Sequence, residues 1–574
     1  MRHSLAHVLA IAVLDMFPEA KLGIGPATDD GFYYDFDLPR TLIPEDLPIL
    51  EKKMRTVVRQ GLGFEGTEVA PKEAIDTLKT AGQPYKVELA EEFAQGDEPI
   101  TFYKTGGFTD LCRGGHVGST KEIGAFKLTR IAGAYWRGDE RRPQLQRIYG
   151  VAFATEQELE DHLKHLEEIE KRDHRKLGTQ LELFHLDETA PGMPYWLPKG
   201  TKLVNTLLDF WREEHEARGY QEISAPLVNK KELWERSGHW DHYREEMFVA
   251  PVDDRNTYGV KPMNCPNAMV VFGLKSRSYR DLPLRFSDCD VLHRNERSGT
   301  LHGLLRVQSF RQDDSHNFVE ESQIESECMK ILEIADRFYG VFGLTYSLRL
   351  GTRPDKFLGD AKTWDKAETA LRRVLDSHVG KGDYPVLEGD GAFYGPKVDI
   401  LMKDILGREW QMGTIQLDFQ LPRRFKLKYS ADDGSEKTPV VIHRVIYGSL
   451  ERFIGILIEH FGGAFPLWLA PEQVRVLPIA DRHADYAAAV AATLREAGLR
   501  TEVDGRPESV GKKIREAEIK KIPYMLVVGD QEAKAGSVAL RSYHRGDLGV
   551  KKTGAVAKVL AKEAAERALP PSKP

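Results

Sequence analysis

Cysteine is scarce in this chain: Cys112, Cys265, Cys289 and Cys328 are the only four among 574 residues. So few thiols in so long a chain make no disulfide framework and point to a reducing cytoplasm. Long hydrophobic runs are missing too; no stretch of eighteen apolar residues occurs, so no membrane-spanning helix is expected. The opening MRHSLAHVLAIAVLDMF has an apolar stretch after one Arg, but it holds two His and an Asp and lacks a small-residue cleavage site. It reads as an amphipathic helix and not as a signal peptide. An excess of positive charge is also absent. The net charge of −7 excludes a blanket nucleic-acid coat while leaving room for local basic patches that hold a polyanion. There is no internal repeat, and only the ending PPSKP reads as disordered.

What is present is the composition of a globular protein, with 29% charged and 41% hydrophobic residues. The length exceeds a single hydrophobic core, so three or four domains are expected. PATDDGFYYDFDLPR reads as a hairpin turned by Asp-Asp-Gly. EQELEDHLKHLEEIEKRDHRKLG is charged on nearly all faces, as is a helix that bridges domains through solvent. KGTKLVNTLLDFWREEHEARGYQEISAPLV reads as a helix, a Gly and an alternating strand that ends at Pro226. The segments LPLRFSDCDVLH, LHGLLRVQSFRQDDSHNF, AFYGPKVDILMKD and REWQMGTIQLDF alternate, which predicts an antiparallel sheet with one covered face. Beyond LAPEQVRVLPIA, strands and helices alternate at the spacing of a small α/β domain.

Three residues far apart, Cys265 in KPMNCP, His316 in QDDSHNF and His443 in VVIHRVIYGSLERF, make a candidate zinc site with three protein ligands and one position open to substrate. At the N-terminus, His3 and His7 in HSLAH lie one helical turn apart, and Cys112 and His116 in CRGGH complete a second cluster.

RGYQEISAPLV resembles motif 1 of the class II aminoacyl-tRNA synthetases, FSDCDVLHRNERSGTLHGLLRVQSFRQDD resembles motif 2, and HRVIYGSLERFIGILIEHFGGAFPLWLAP resembles motif 3. KPMNCP, AFYGPKVD and the QDDSH ending narrow the resemblance to threonyl-tRNA synthetases, over nearly the whole chain. The resemblance implies an α+β multidomain fold. It comprises an N-terminal α+β editing domain (1–154), a linker helix (155–178), a class II antiparallel sheet flanked by helices (179–471) and a C-terminal α/β anticodon-binding domain (472–574). It further implies a cytoplasmic homodimer, since motif 1 normally builds the subunit interface. In the family plan a small ubiquitin-like domain precedes the editing segment and is missing here; either the lineage has lost it or the true start lies upstream.

Activation of threonine by ATP must position two anions and neutralise developing charge, work suited to arginine. By resemblance, Arg294 sits at the α-phosphate, Glu296 near the adenine amino group, Arg306 on the phosphate tail, Arg452 near the γ-phosphate, and Phe310 stacks on adenine. Gln411, Thr414 and Gln416 line the nucleotide and amino-acid pockets, Gly448 borders the nucleotide, and Gln312 and Lys397 join Arg294 and Arg452 at the reacting centre. Met412 departs from the Cys common in relatives. Mg²⁺ is expected to arrive with ATP, held mostly by phosphates and waters.

One zinc per subunit on Cys265, His316 and His443 could take both the amino group and the hydroxyl of threonine. Valine would leave a metal position unfilled. Asp314 would hydrogen-bond the hydroxyl, with Met263, Gln312 and Tyr394 shaping the pocket. Serine escapes this filter, because a missing methyl is worth only about 1–3 kcal/mol, so a second, hydrolytic site is expected for seryl-tRNA. Spacing alone allows His3, His7, Cys112 and His116 to hold zinc. The resemblance implies instead a metal-independent editing pocket, with Tyr34, Lys86 and Asp110 at further matching positions. In the C-terminal segment, Glu532 and Arg541 fall at base-contacting positions for the anticodon of tRNA(Thr). Two rivals differ in class: a synthetase for another amino acid, which the Cys-His-His trio argues against, and a non-catalytic RNA-binding derivative, expected to have lost Arg294, Arg306 and Arg452.

Overall fold

A computed structural model describes residues 1–95, 100–253, 255–404 and 407–571. The last three residues of PPSKP lie outside the described residues. Contacts divide the chain into two compact units, 1–168 and 169–574, so the segments expected as separate domains at 179–471 and 472–574 fall in one unit.

In the first unit the helix Arg2–Met16 is buried around its whole circumference from Ser4 to Ala10, with Asp15 exposed near its end, so the amphipathic helix expected there is corrected to a mostly enclosed one. The physical reason is that two layers cover it. Leu5, Leu9 and Val13 pack in one cluster with Phe32, Tyr34 and Phe36 of the strand Gly31–Asp37 and with Leu50 and Met54 of the helix Asp46–Gln60. The Asp-Asp-Gly turn forms: Ala27 bridges Phe32, and Thr28 N–H donates to Gly31 O at 2.9 Å. The antiparallel sheet orders Lys21–Leu22, Gly31–Asp37, Gln144–Phe153 and Ala125–Tyr135. A three-stranded sheet, Glu65–Val69, Ile100–Thr105 and Phe108–Leu111, brings Asp110 and Cys112 toward that first helix.

The charged segment expected as one helix is two. Glu156–Arg172 buries only Leu159. The chain breaks at Asp173, whose carboxylate accepts from Arg175 N–H at 2.8 Å and so caps a second helix, His174–Gln180.

The second unit is built on a nine-stranded sheet. Its central path runs Leu284–Asp288, Ser309–Val319, Val440–Ser449, Glu409–Asp418, Lys397–Lys403 and Tyr346–Gly351, all antiparallel. Alternation gives it two faces. Ile442, Ile415, Leu417, Val398 and Ile400 join the helical core formed with Ile324–Gly340, Ala361–His378 and Leu450–His460. The motif 1 strand is shorter than expected, Gln221–Glu222 only. Past it, Ala225 N–H and Ser224 Oγ both go to the Asp290 carboxylate (2.8 and 2.9 Å) in place of a neighbouring strand, and Pro226 has no N–H to offer.

The C-terminal segment is the expected α/β arrangement. Thr501–Val503, Val474–Pro478 and Tyr524–Val528 pair in parallel, followed by antiparallel Ser537–Ser542 and Gly546–Lys552.

Candidate active site and a second His/Cys cluster

Strand register draws the site as a row. His316 lies opposite His443, His443 opposite Gln416, and Gln416 opposite Lys397, so four neighbouring strands each place one of these residues at the same level. Two positions along, Asp314, Thr414 and Asp399 form a second row on the same face, since side chains two apart share a face. Cys265 reaches this face from the first position of the helix Cys265–Phe272.

The ligand atoms of Cys265, His316 and His443 lie within 4.8 Å of one another, and all three residues are buried. Neither ring nitrogen of His316 has a hydrogen-bond partner, an arrangement that costs free energy in a buried ring unless another ligand takes it up. His443 Nε2–H donates to Asp418 Oδ2 at 2.9 Å, which leaves Nδ1 for the cluster and fixes the ring as carboxylates do behind metal-bound histidines. Burial pushes the Cys265 thiol well above its usual range, with Asp314 and Asp418 adding to it. Burial likewise lowers His316, with His443 and Arg444 repelling its proton. A soft thiol and two imidazoles, one of them with neither ring nitrogen hydrogen-bonded, fit a divalent zinc-like ion.

Around this cluster Asp314 is raised to about 6 by burial, against the pull of His443. Its Oδ2 accepts from Asn264 Nδ2 at 3.3 Å, and Tyr394 O–H donates to Gln416 Oε1. Lys397 Nζ pairs with Asp390 at 2.9 Å and Asp399 at 3.3 Å, and Gln411 Nε2 donates to Asp399 at 2.7 Å. One neighbour was missed from the sequence: His239 is fully buried, with Nε2 3.1 Å from Met263 Sδ and 3.8 Å from Cys265 Sγ. The string SGHWDHY carries two His, and nothing in its pattern separates the inward one; only tertiary contact does.

The arginines converge beside the row. Arg452 opens the helix Leu450–His460, whose N-cap Ser449 accepts from Arg452 N–H at 3.2 Å. Asp313, buried and raised to about 7 chiefly by burial, takes the N–H groups of Ile446 (3.2 Å) and Gly448 (3.1 Å) and so holds the irregular turn from strand into helix. Arg452 Nε donates to Leu305 O at 2.8 Å; burial and the nearby Arg306 and Arg294 lower its pKa. Arg294 donates to Pro262 O at 3.3 Å, its guanidinium 5.0 Å from the Phe310 ring centre. Arg306 pairs with Glu296 at 2.8 Å. Among the described residues neither Arg294 nor Arg452 has a carboxylate partner, so the site holds cationic charge ready for an anion. Gln312 stands opposite Ser449, and Met263 lies against His239.

The second cluster is equally close. His3, His7, Cys112 and His116 offer ligand atoms within 4.8 Å. Cys112 Sγ lies 3.4 Å from His3 Nε2 and 3.2 Å from His116 Nε2, while His3 Nδ1 meets Gly114 O at 2.8 Å. Tyr34 O–H donates to Asp110 at 2.5 Å and Lys86 Nζ pairs with Asp110 at 2.6 Å, all three buried. Burial lowers His7 to about 4 and His116 to about 3 and pushes Cys112 up to about 11, so near neutral pH the cluster is uncharged. Burial alone would raise Asp110, but Lys86 and His7 outweigh it and keep its carboxyl low. All seven expected editing residues are thus brought together.

The two anticodon candidates have local partners. Glu532 accepts from Gly529 N–H at 3.0 Å, a helix-capping contact, and Arg541 donates to Asp547 at 3.4 Å from the strand opposite Met525.

Comparisons with known proteins agree with this layout. The class II core domain of G, H, P, S and T tRNA synthetases matches residues 248–461, an anticodon binding domain matches 473–563, and the second additional domain of threonyl and alanyl tRNA synthetases matches 100–149. A threonine–tRNA ligase of Clostridium tetani is 51% identical over 96% of this chain and 85% of its own length. One of Caldanaerobacter subterraneus is 51% identical over 99% of this chain and 87% of its own. The crystal structure titled as the RNA binding domain of threonyl-tRNA synthetase from Cryptosporidium parvum superposes with a TM-score of 0.66 at 42% identity, covering 70% of this chain and 99% of that one. With half its residues identical to those relatives along nearly its full length, the chain belongs to the threonine–tRNA ligases of the class II synthetase family.

Proposed function

We propose that the row His316–His443–Gln416–Lys397, with Cys265, is the pocket that selects threonine, and that the adjacent arginines bind ATP. The single observation that carries this is the alignment of those residues on one sheet face beside Arg294 and Arg452, which among the described residues have no carboxylate partner. Cys265, His316 and His443 would hold zinc, which when bound supplies Lewis-acid contacts to an amino group and a hydroxyl. Asp314, raised to about 6 by burial, accepts a hydrogen bond from the threonine hydroxyl, and Gln416, Tyr394 and Met263 close the side-chain pocket. Arg294 and Arg452 neutralise the phosphates while Arg306 and Glu296 border the tail and the adenine, with Phe310, Gln411, Thr414 and Gly448 completing the nucleotide pocket. Gln312 and Lys397 orient the threonine carboxylate for in-line attack on the α-phosphate. Mg²⁺ neutralises charge on ATP itself.

Seryl-tRNA(Thr) is hydrolysed in the first unit. There neutral His3, His7 and His116 hydrogen-bond and position a water against the ester, and Lys86, held by Asp110 and Tyr34, positions the ribose. The anticodon of tRNA(Thr) is read by the C-terminal segment through Glu532 and Arg541. The enzyme works in the cytoplasm as a homodimer; exposed Leu227 and Val228 beside motif 1 support an apolar partner surface. Elemental analysis of the purified chain tests the centre: about one zinc per chain is expected, lost in Cys265→Ala together with threonine activation. A Cys265→Ala protein that keeps its metal removes the assignment.

A further inference from the structure

His174, outside every residue set above, sits where a linker helix, the motif 2 loop and the motif 3 helix meet. Its ring is fully buried. Nδ1 lies 2.7 Å from Glu459 Oε1, and Leu304 N–H points to Nε2 at 3.0 Å. A backbone N–H can only donate, so Nε2 is the lone-pair nitrogen and Nδ1 carries the proton that Glu459 accepts. Glu459 is itself fixed, because its second oxygen takes the Arg408 guanidinium.

The loop is shaped to this imidazole. Gly303 has φ +51°, and a Cβ there would stand 2.1 Å from His174 Nε2. Leu304 and Leu305 beside it are buried, and Gly455 of the motif 3 helix leaves them room, a Cβ there meeting both at 3.1–3.2 Å. The other end of the loop carries the nucleotide residues. His302 and Arg306 exchange backbone hydrogen bonds at 3.1 and 3.3 Å, Arg306 turns to Glu296, and Leu305 O accepts from Arg452 Nε at 2.8 Å.

We propose that His174 is a positioning residue for ATP: by pinning Leu304 it fixes the loop that presents Arg306 and the Leu305 carbonyl that orients Arg452. The inference rests on the assignment of Arg306 and Arg452 to the nucleotide. Threonine, held on the sheet face by Cys265, Asp314, His316 and His443, does not depend on the contact.

The test is threonine-dependent ATP–pyrophosphate exchange by the full chain, with Arg306→Ala as reference. His174→Leu should raise KM for ATP about five- to tenfold, the size of one lost buried hydrogen bond, and leave KM for threonine within about twofold. His174→Gln, whose amide oxygen can accept from Leu304, should recover much of the loss. A general destabilisation would move both KM values together and show no recovery. If Arg306→Ala raises KM for ATP while His174→Leu leaves it unchanged, or raises both KM values equally, the proposal is overturned. If Arg306→Ala itself has no effect on ATP, the nucleotide assignment falls and the proposal with it. Should His174→Leu not fold, Gly303→Ala strains the same contact from the loop side, and the same split between ATP and threonine decides.

Discussion

The uncharged state of the His3, His7, Cys112 and His116 cluster is set through burial, and it makes pH a direct probe. His7 titrates near 4 in the folded chain against 6.5 when exposed. Above pH 6.5 both states are neutral and its contribution is intact; as pH falls from 6.5 toward 4 the unfolded chain takes up a proton that the folded chain refuses, so stability is lost. The shift corresponds to roughly 2–3 kcal/mol across that window. Hydrogen exchange in the helix Arg2–Met16, corrected for intrinsic rates, should therefore lose protection between pH 7 and pH 5. His7→Gln should lose less, the remainder coming from His3 and His116, which are lowered in the same way; equal loss in both proteins would contradict the assignment. The ligand candidates themselves were legible in sequence because Cys and His are few and chemically distinctive. His239 and His174 were not, because their roles depend on Met263, Cys265, Leu304 and Glu459, residues with which they share no pattern along the chain.

At the level of elements, alternation in the middle segments foretold the sheet, and its register then aligned residues that the sequence could only place separately. Period-two patterning says which face a residue takes, while pairing between strands, His316 with His443 among them, says which residues become neighbours. Two elements escaped that reasoning. The helix Arg2–Met16 is mostly enclosed, since a helix covered by both a sheet and another helix need not be amphipathic. The charged linker breaks at Asp173, because a side-chain cap competes with the helical ladder. The strand-to-helix turn of motif 3 supplies a further prediction. Gly448 has φ +78°, and a Cβ there would stand 2.3 Å from Met412 O, a backbone atom that cannot swing away. Gly448→Ala should cost about 1–3 kcal/mol of stability and, by shifting Ser449 and Arg452, raise KM for ATP. An unchanged melting temperature and KM would show the turn to be plastic.

At the level of the whole molecule, two units carry two chemistries on separate folds, 1–168 and 169–574. Under the proposed function discrimination would divide the same way: an open metal position would reject a missing hydroxyl, and a second pocket would remove the product that lacks only a methyl. Lys86→Met should therefore accumulate seryl-tRNA(Thr) by at least about tenfold over the parent while leaving threonine-dependent exchange unchanged. A matching fall in exchange would mean that the units are not chemically independent. The most direct test of the central claim is ATP–pyrophosphate exchange with threonine, serine and valine, before and after the metal is chelated. The arrangement of Cys265, His316 and His443 predicts brisk exchange with threonine, appreciable exchange with serine, almost none with valine, and loss of the threonine reaction on chelation with recovery on added zinc. Threonine exchange and valine rejection that both survive chelation would contradict it.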